Sequence, residues 1–356
     1  SCLVGSEMCI RDSPVGDKSL LMMDFYSRSL NNELRGHYGR FEVLKERGKM
    51  DRGAKLHLNH VTQTLGKTEV IKDLSITVPA GKVYGFLGRN GAGKSTVMKI
   101  ILGLLRPDTG TVELEGRPVA GGDTSYLSHI GSLIEEPSFY PNLTGVENIS
   151  YLGKLRGVKT NTSHILEMVG LSNHGKRKAG EYSLGMKQRL GIALALVGDP
   201  DILLLDEPTN GLDPDGIREI RELILRFSRE MGKTVVVSSH ILSEIEQIAD
   251  VVGIIHEGSL RYEGELSSLI GAPSLVIDAL NSFEVRQVLD RRGIPYSILD
   301  DGKIRLRYQD RELSSQIITS IVTEGSPIAS ATIQSHTLED TFLTMTGSAD
   351  IEGARR

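Results

Sequence analysis

The chain is poor in cysteine. Of 356 residues only Cys2 and Cys9 carry a thiol, both at the extreme N-terminus. The main body therefore has no disulfide framework and no cysteine-ligated metal, which fits a reducing cytoplasm. No apolar run approaches the ~20 residues that a membrane span requires, so if the protein works at a membrane, another chain crosses it. Charge of one sign is also lacking: a formal net charge of −5 gives no support to a nucleic-acid partner held by bulk electrostatics, and none is expected. Internal repeats and low-complexity tracts are absent. What is present is the balance of a globular protein, 39% hydrophobic and 24% charged, over a length that suits one large domain and a smaller one.

Residues 1–49 are expected to be a non-native or disordered extension. The opening SCLVGSEMCIRDSP is neither a secretory signal nor an amphipathic transit segment, and it resembles a translated sequencing-adapter scar. Met50 just precedes the first convincing strand and is a candidate native start. A real, poorly ordered extension is the alternative.

From Leu56 the pattern is regular. LHLNHVTQT and VIKDLSITV alternate and read as two strands of a sheet edge. KVYGFLG is a buried strand feeding a glycine-rich turn, and KSTVMKIILGLL continues with helical period. TVELEG and IGSLI are further strands. Residues 144–197 are mostly helical and open on the capping-box pattern Thr144-x-x-Glu147. Then DILLLDE, KTVVVSS and VVGIIH alternate with helices from Pro214 and Ile241, which implies a mostly parallel sheet with helices on its faces and a helical insertion. Gly271-Ala272-Pro273 reads as a linker. Beyond it SLVIDAL, FEVRQVLDRRG, KIRLRYQ, RELSSQIITSIV and SATIQ read as a small second α/β domain. The expected units are a large α/β domain at 55–270, with its helical subdomain near 139–197, a C-terminal domain at 273–347, and a tail at 348–356.

The strongest chemical signal is GRNGAGKST: Gly88, Arg89, Asn90, Gly91, Ala92, Gly93, Lys94, Ser95 and Thr96. It matches G-x-x-x-x-G-K-[ST] between a strand and a helix. Glycines let backbone N–H groups curl around phosphate oxygens, and the helix that starts here points its positive end at them. Lys94 would reach the β- and γ-phosphates of ATP, and Ser95 would ligate Mg²⁺. ILLLDEPT delivers Asp206 and Glu207 from a buried strand end. Asp206 suits Mg²⁺, and Glu207 suits a general base that polarises water. By itself a strand ending in two acids is often only solvation; after a phosphate loop it means more.

The order GRNGAGKST, YSLGMKQR, LLLDEPTNGLD, VVVSSH resembles the ATP-binding subunits of ABC transporters over about Leu56 to Leu269. The resemblance implies an α/β P-loop NTPase core of ABC type, with antiparallel edge strands and a helical signature subdomain, beside the small C-terminal α/β domain. It also implies that two copies pack head to tail, each closing its signature motif on ATP held by the other. Ser183 and Gly185 match the family signature LSGGQ, and Leu184 and Met186 stand within it. Met186 takes the place of a hydrogen-bonding glutamine. Asp213 before Pro214 makes a good N-cap and first-turn pair, to which the family adds a place at the dimer interface. His240 sits where the family keeps a γ-phosphate-sensing histidine, so the catalytic set would be Lys94, Glu207 and His240.

In SLIEEPSFYP the resemblance aligns Glu135 with the glutamine that touches Mg²⁺ and couples the site to the permease. Neighbours on a strand point to opposite sides, so Glu135 and Glu136 are not expected to act as a catalytic pair. The carboxylate at 135 and the run YSLGMKQRLGIA resemble the bacteriocin- and lantibiotic-immunity (bacitracin-resistance type) branch of exporters. Leu65 stands where the family usually stacks an aromatic on adenine. HTLEDTFLTMTG at 336–347 resembles the ending of drug-exporter ATPases, or is an amphipathic helix closing the small domain. The resulting expectation is an ATPase motor subunit at the cytoplasmic face of the plasma membrane, with ATP and Mg²⁺ as cofactors. Its partners would be a separate transmembrane permease and a second ATP-binding subunit, and its cargo peptide antibiotics or similar compounds. A non-transport ABC-type ATPase and a regulatory ATP-binding module are the alternatives.

Overall fold

A computed structural model describes residues 54–346, apart from 120–122, 271–272, 300, 309 and 335–337. The expectations for residues 1–49, for Gly271 and Ala272, and for the 348–356 tail fall outside the described residues.

The centre is a six-stranded sheet in the order β10-β9-β3-β8-β7-β6. Its strands are β3 (Val83–Leu87), β6 (Ile130–Leu133), β7 (Ile202–Asp206), β8 (Thr234–Ser239), β9 (Val251–His256) and β10 (Ser259–Glu265). All neighbours pair in parallel except β10, which runs antiparallel to β9. Every residue of β3, β7 and β8 is buried, which is why these strands read as continuous apolar runs: both faces of a parallel sheet are covered. Alternate residues of one strand serve different cores. Leu203, Leu205, Val235 and Val237 belong to one apolar cluster, and Ile202, Leu204 and Val236 to another on the opposite face.

The two strands read as a sheet edge stand at one side of a second, antiparallel sheet. β1 (Ala54–Leu65) and β2 (Thr68–Pro79) join β4 (Thr109–Leu114) and β5 (Arg117–Pro118) in a separate antiparallel sheet, β2-β1-β4-β5. The alternation in β1 and β2 reflects one covered face: Leu56, Leu58, Ile71 and Ile76 enter the second cluster, where helix α1 (Lys94–Ile101) packs with Val97, Met98 and Ile101.

The opposite cluster carries the helical insertion, α2 (Gly145–Leu155), α3 (Thr162–Met168) and α4 (Leu184–Ala195). The capping box forms: Thr144 N–H donates to Glu147 Oε2 at 2.7 Å, and Glu147 N–H donates to Thr144 Oγ1 at 3.2 Å. The Thr144 backbone N–H first, and its side chain second, favour the ionised carboxyl of Glu147 and hold its pKa below the ordinary value. Helix α4 lies directly on β6, where a Cβ at Gly131 would stand 1.9 Å from the Ala195 carbonyl oxygen. On the same side follow α5 (Pro214–Arg229), α6 (Leu242–Glu246) and α7 (Leu266–Ile270).

The C-terminal strands β11 (Ser274–Ala279), β12 (Tyr296–Ile298), β13 (Ile304–Arg307) and β14 (Ile328–Gln334) make a third sheet in the order β12-β13-β11-β14. With α8 (Ser282–Arg291) and α9 (Arg311–Thr323) the chain order is β-α-β-β-α-β, a split βαβ arrangement, built around Leu275, Ile277, Leu289 and Leu306. All its pairings are antiparallel, and β12 is a strand the sequence reading passed over. Three residues are too few to show alternation. The final helix, α10 (Leu338–Thr346), does not close this small sheet. Its Leu338 and Phe342 join the first large cluster, which also holds Ile245 of α6 and Leu266 of α7.

Candidate functional site

Parallel strands β3, β7 and β8 end side by side, and their C-terminal ends carry the chemistry. β3 turns through GRNGAGKST into α1. Gly93 caps that helix at φ 110°, a left-handed conformation that favours glycine, and a Cβ there would meet Ile71 Cδ1 at 2.5 Å. Lys94 follows at once. Its side chain is buried, and Nζ donates to the Gly88 carbonyl at 2.7 Å and the Arg89 carbonyl at 3.4 Å.

β7 ends at Asp206, and Glu207 leaves it at φ 48°. A left-handed non-glycine residue is uncommon and costs backbone strain, which collects where function needs it. The turn aims the Glu207 carboxylate back at the phosphate loop. Oε1 lies 3.3 Å from Lys94 Nζ, and Oε2 lies 2.5 Å from His240 Nδ1. Around this triad opens a polar cleft of about 390 Å³, lined by Val70, Asn90, Gly91, Gly93, Lys94, Ser95, Thr96, Glu207, Asn210 and His240. Gly88 and Ala92 are buried beneath it and Arg89 is exposed outside the lining.

Asp206 lies behind the cleft, 1% exposed. Ser238, directly opposite it in the β7–β8 register, donates its hydroxyl to Asp206 Oδ1 at 2.5 Å and accepts the Glu207 N–H at 2.9 Å. One hydroxyl thus fixes both acids. Sequence reasoning quoted the VVVSSH run without singling out Ser238; its signal was the serine one residue short of the strand end. A second missed link is buried below: Thr209 Oγ1 donates to Glu244 Oε2 at 2.5 Å and joins the segment after Glu207 to α6, the helix after His240.

Other expected residues divide. Ser183 caps α4 and accepts the Met186 N–H at 3.3 Å. Ser183 and Leu184 are exposed and Gly185 is half-buried. The side chain of Met186 instead turns inward, 8% exposed within the apolar cluster, so it does not share their surface. Asp213 caps α5 by accepting the Gly216 N–H at 2.9 Å, with Pro214 in the first turn.

Glu135 differs from its expectation in two ways. β6 stops at Leu133, so 135 and 136 are not strand neighbours; Glu135 sits in a left-handed turn at φ 61°. Its Oε1 lies 2.5 Å from Lys99 Nζ on α1, and it is not among the residues lining the cleft. Glu136 departs in another direction and lines an apolar groove with Leu133, Leu152, Arg156 and Leu194. Leu65 is exposed near the β1–β2 turn, and Val70 lines the cleft in its stead.

A parallel sheet whose strand ends present a glycine-rich loop, a lysine, paired acids and a helix N-terminus defines a P-loop nucleoside-triphosphatase. The comparisons narrow the class. A family model described as "ABC transporter" matches residues 71–210. Bacitracin transport ATP-binding proteins of Enterococcus faecalis and Bacillus licheniformis are 50% and 40% identical to the chain, over 60% and 82% of its length and 70% and 97% of theirs. A lantibiotic transport ATP-binding protein of Streptococcus pyogenes is 46% identical over 59% of the chain and 90% of its own length. A dimeric ATP-binding cassette solved in a post-hydrolysis state with ADP and Pi matches at TM-score 0.54 and 26% identity, covering 59% of this chain and 98% of that one. The chain belongs to the family of ABC transporter ATP-binding subunits, and it is an ATPase coupled to transport. No helix among the described residues is long and apolar enough to cross a membrane.

Proposed function

We propose that this chain drives a separate membrane permease that exports peptide antibiotics of the bacitracin and lantibiotic kind, working from the cytoplasmic face of the plasma membrane as one of two ATP-binding subunits. The observation that carries the catalytic part is the Glu207 carboxylate held between Lys94 and His240 at the mouth of a phosphate-loop cleft.

In this reading the backbone N–H groups from Asn90 to Thr96 cradle the ATP phosphates, and Lys94 supplies a fixed positive charge to the β- and γ-phosphates. A γ-phosphate entering the cleft competes with Glu207 for Lys94, and the released carboxylate oxygen accepts a proton from the attacking water. His240 orients the other carboxylate oxygen and reports the γ-phosphate. Ser95 and Asp206 offer the hard oxygen donors that suit Mg²⁺. Among the described residues no group of three or more His, Cys, Asp or Glu could hold a metal alone. An ion held by Ser95 and Asp206 would supply charge neutralisation at the β- and γ-phosphates.

Ser183 and Gly185, at the exposed start of α4, would meet the γ-phosphate held by a second copy, with Asp213 nearby at the interface. Glu135 would couple this site to the permease, because its turn leads straight into Pro137, against which α4 packs: a Cβ at Gly191 would lie 2.9 Å from Pro137 Cβ. Export of peptide antibiotics rests on the relatives' printed activities, bacitracin and lantibiotic transport.

The test is the Glu207→Gln variant with saturating ATP and Mg²⁺ in sedimentation velocity. A stable dimer is expected, since ATP binds and is not hydrolysed. A variant that stays monomeric while binding ATP contradicts the two-site model.

A further inference from the structure

Two turns carry the working residues, and they are joined in two places. The turn after β7 brings Glu207, and the turn after β8 brings His240. At the cleft Glu207 Oε2 lies 2.5 Å from His240 Nδ1. Beneath the cleft, Thr209 Oγ1 donates to Glu244 Oε2 at 2.5 Å. Thr209 and Glu244 are each 6% exposed, and Glu244 Oε1 has no hydrogen-bond partner among the described residues. Burying a carboxyl group is costly unless its oxygens are bonded, so an apolar side chain would serve packing better here. A buried polar group left half satisfied calls for a reason other than packing.

The two sides of this bond differ. α6 is the fixed side. Its Ile245 is fully buried, and a Cβ at Gly85 of β3 would stand 2.4 Å from Ile245 Cγ2, so helix and strand touch directly. Gln247, just past the helix, accepts a hydrogen bond from Arg221 of α5. The path from α6 back to His240 is short and bonded: Glu244 N–H donates to the Ile241 carbonyl at 3.3 Å, and Ile241 N–H to Ser239 Oγ at 2.9 Å. The turn after β7 is the strained side. Glu207 holds φ 48°, a conformation that persists only where the surroundings enforce it, and Thr209 stands two residues further on.

We propose that Glu244 is a positioning residue for ATP hydrolysis. Through Thr209 it holds the turn that carries Glu207 against the helix that follows His240, and so keeps the carboxylate and the imidazole at bonding distance. Neither Thr209 nor Glu244 lines the cleft. ATP binding is therefore independent of the pair, whereas the hydrolytic step, which needs a well-placed base, depends on it. The inference rests on the reading of Glu207 as the base and His240 as its orienting partner.

The experiment compares variants with the parent in the assembled transporter, for kcat, ATP affinity and Tm. Thr209→Val removes the hydroxyl at nearly constant shape; it should lower kcat about tenfold or more and leave ATP affinity unchanged. Thr209→Ser returns the hydroxyl and should recover most of the rate. The double variant Thr209→Val/Glu244→Leu separates positioning from stability. Removing both partners of a buried bond can be nearly neutral for the fold, so Tm should return towards the parent while kcat stays low. The positioning role is overturned if kcat recovers together with Tm, or if Thr209→Ser is as slow as Thr209→Val. It is equally overturned if Thr209→Val turns over at the parental rate or loses ATP affinity in parallel with rate. Glu207→Gln in the same preparation keeps the two readings apart. If it hydrolyses ATP at the parental rate, the general-base reading fails and takes this inference with it; if it is inactive while Thr209→Val is unimpaired, only the inference about Glu244 fails.

Discussion

Two pairs of acids follow two neighbouring strands and meet different fates. Asp206–Glu207 closes β7, and Glu135–Glu136 comes just after β6, which pairs beside it with Leu133 against Leu205. In each pair one glutamate has left-handed backbone, Glu207 at φ 48° and Glu135 at φ 61°. The local pattern is nearly the same; the surroundings are not. Asp206 and Glu207 are fixed by Ser238 and face Lys94 and His240 in a polar cleft. Glu135 is half exposed and faces Lys99 on the outer side of α1, and Glu136 lines an apolar groove. What makes an acid pair chemical is the set of groups across from it, here supplied by strands far away in sequence.

The sharpest way to break that contrast is to remove the hydroxyl that fixes the working pair. Ser238→Ala leaves the buried Asp206 oxygen without its donor, at a cost of about 1–3 kcal/mol. Phosphate-release assays of the assembled transporter should show at least a tenfold fall in turnover, with thermal denaturation reporting the stability loss. A smaller effect belongs to Glu147, eleven residues beyond Glu136. Its folded pKa lies below the ordinary carboxylate value, so it stabilises the fold at pH above that ordinary value, and the contribution disappears as pH falls through the lowered one. Glu147→Gln should therefore lower Tm at pH 7, with the difference from the parent closing in acid. The smallest effect is at Lys99. Its pair with Glu135 is solvent-accessible, so Lys99→Ala should change stability by less than about 0.5–1 kcal/mol and turnover by under threefold.

The same contrast marks what was legible in the sequence. GRNGAGKST and LLLDEPT are local: each spells its turn or strand end and its chemistry in one stretch, and Lys94, Ser95, Thr96 and Glu207 from the two stretches line one cleft. Ser238 acts through the lateral pairing of β7 with β8, and no local pattern reports which residue stands opposite another. Glu135 was misjudged geometrically because IGSLI reads as strand to its last residue, whereas pairing stops at Leu133. Met186 was read by substitution in a motif, yet the first turn of α4 puts its side chain inside. The alternation of β1 and β2 showed strands with one covered face but not which sheet they enter. α10 showed an apolar stripe but not the core it would reach.

Glu207→Gln and Glu135→Gln, assayed side by side for ATP hydrolysis in the same transporter preparation, test most directly the claim that one acid pair does the chemistry. Loss of a general base predicts a fall of about 10²–10⁴-fold for Glu207→Gln, with Glu135→Gln within threefold of the parent. Hydrolysis abolished by Glu135→Gln, or surviving Glu207→Gln at parental rate, would contradict the assignment.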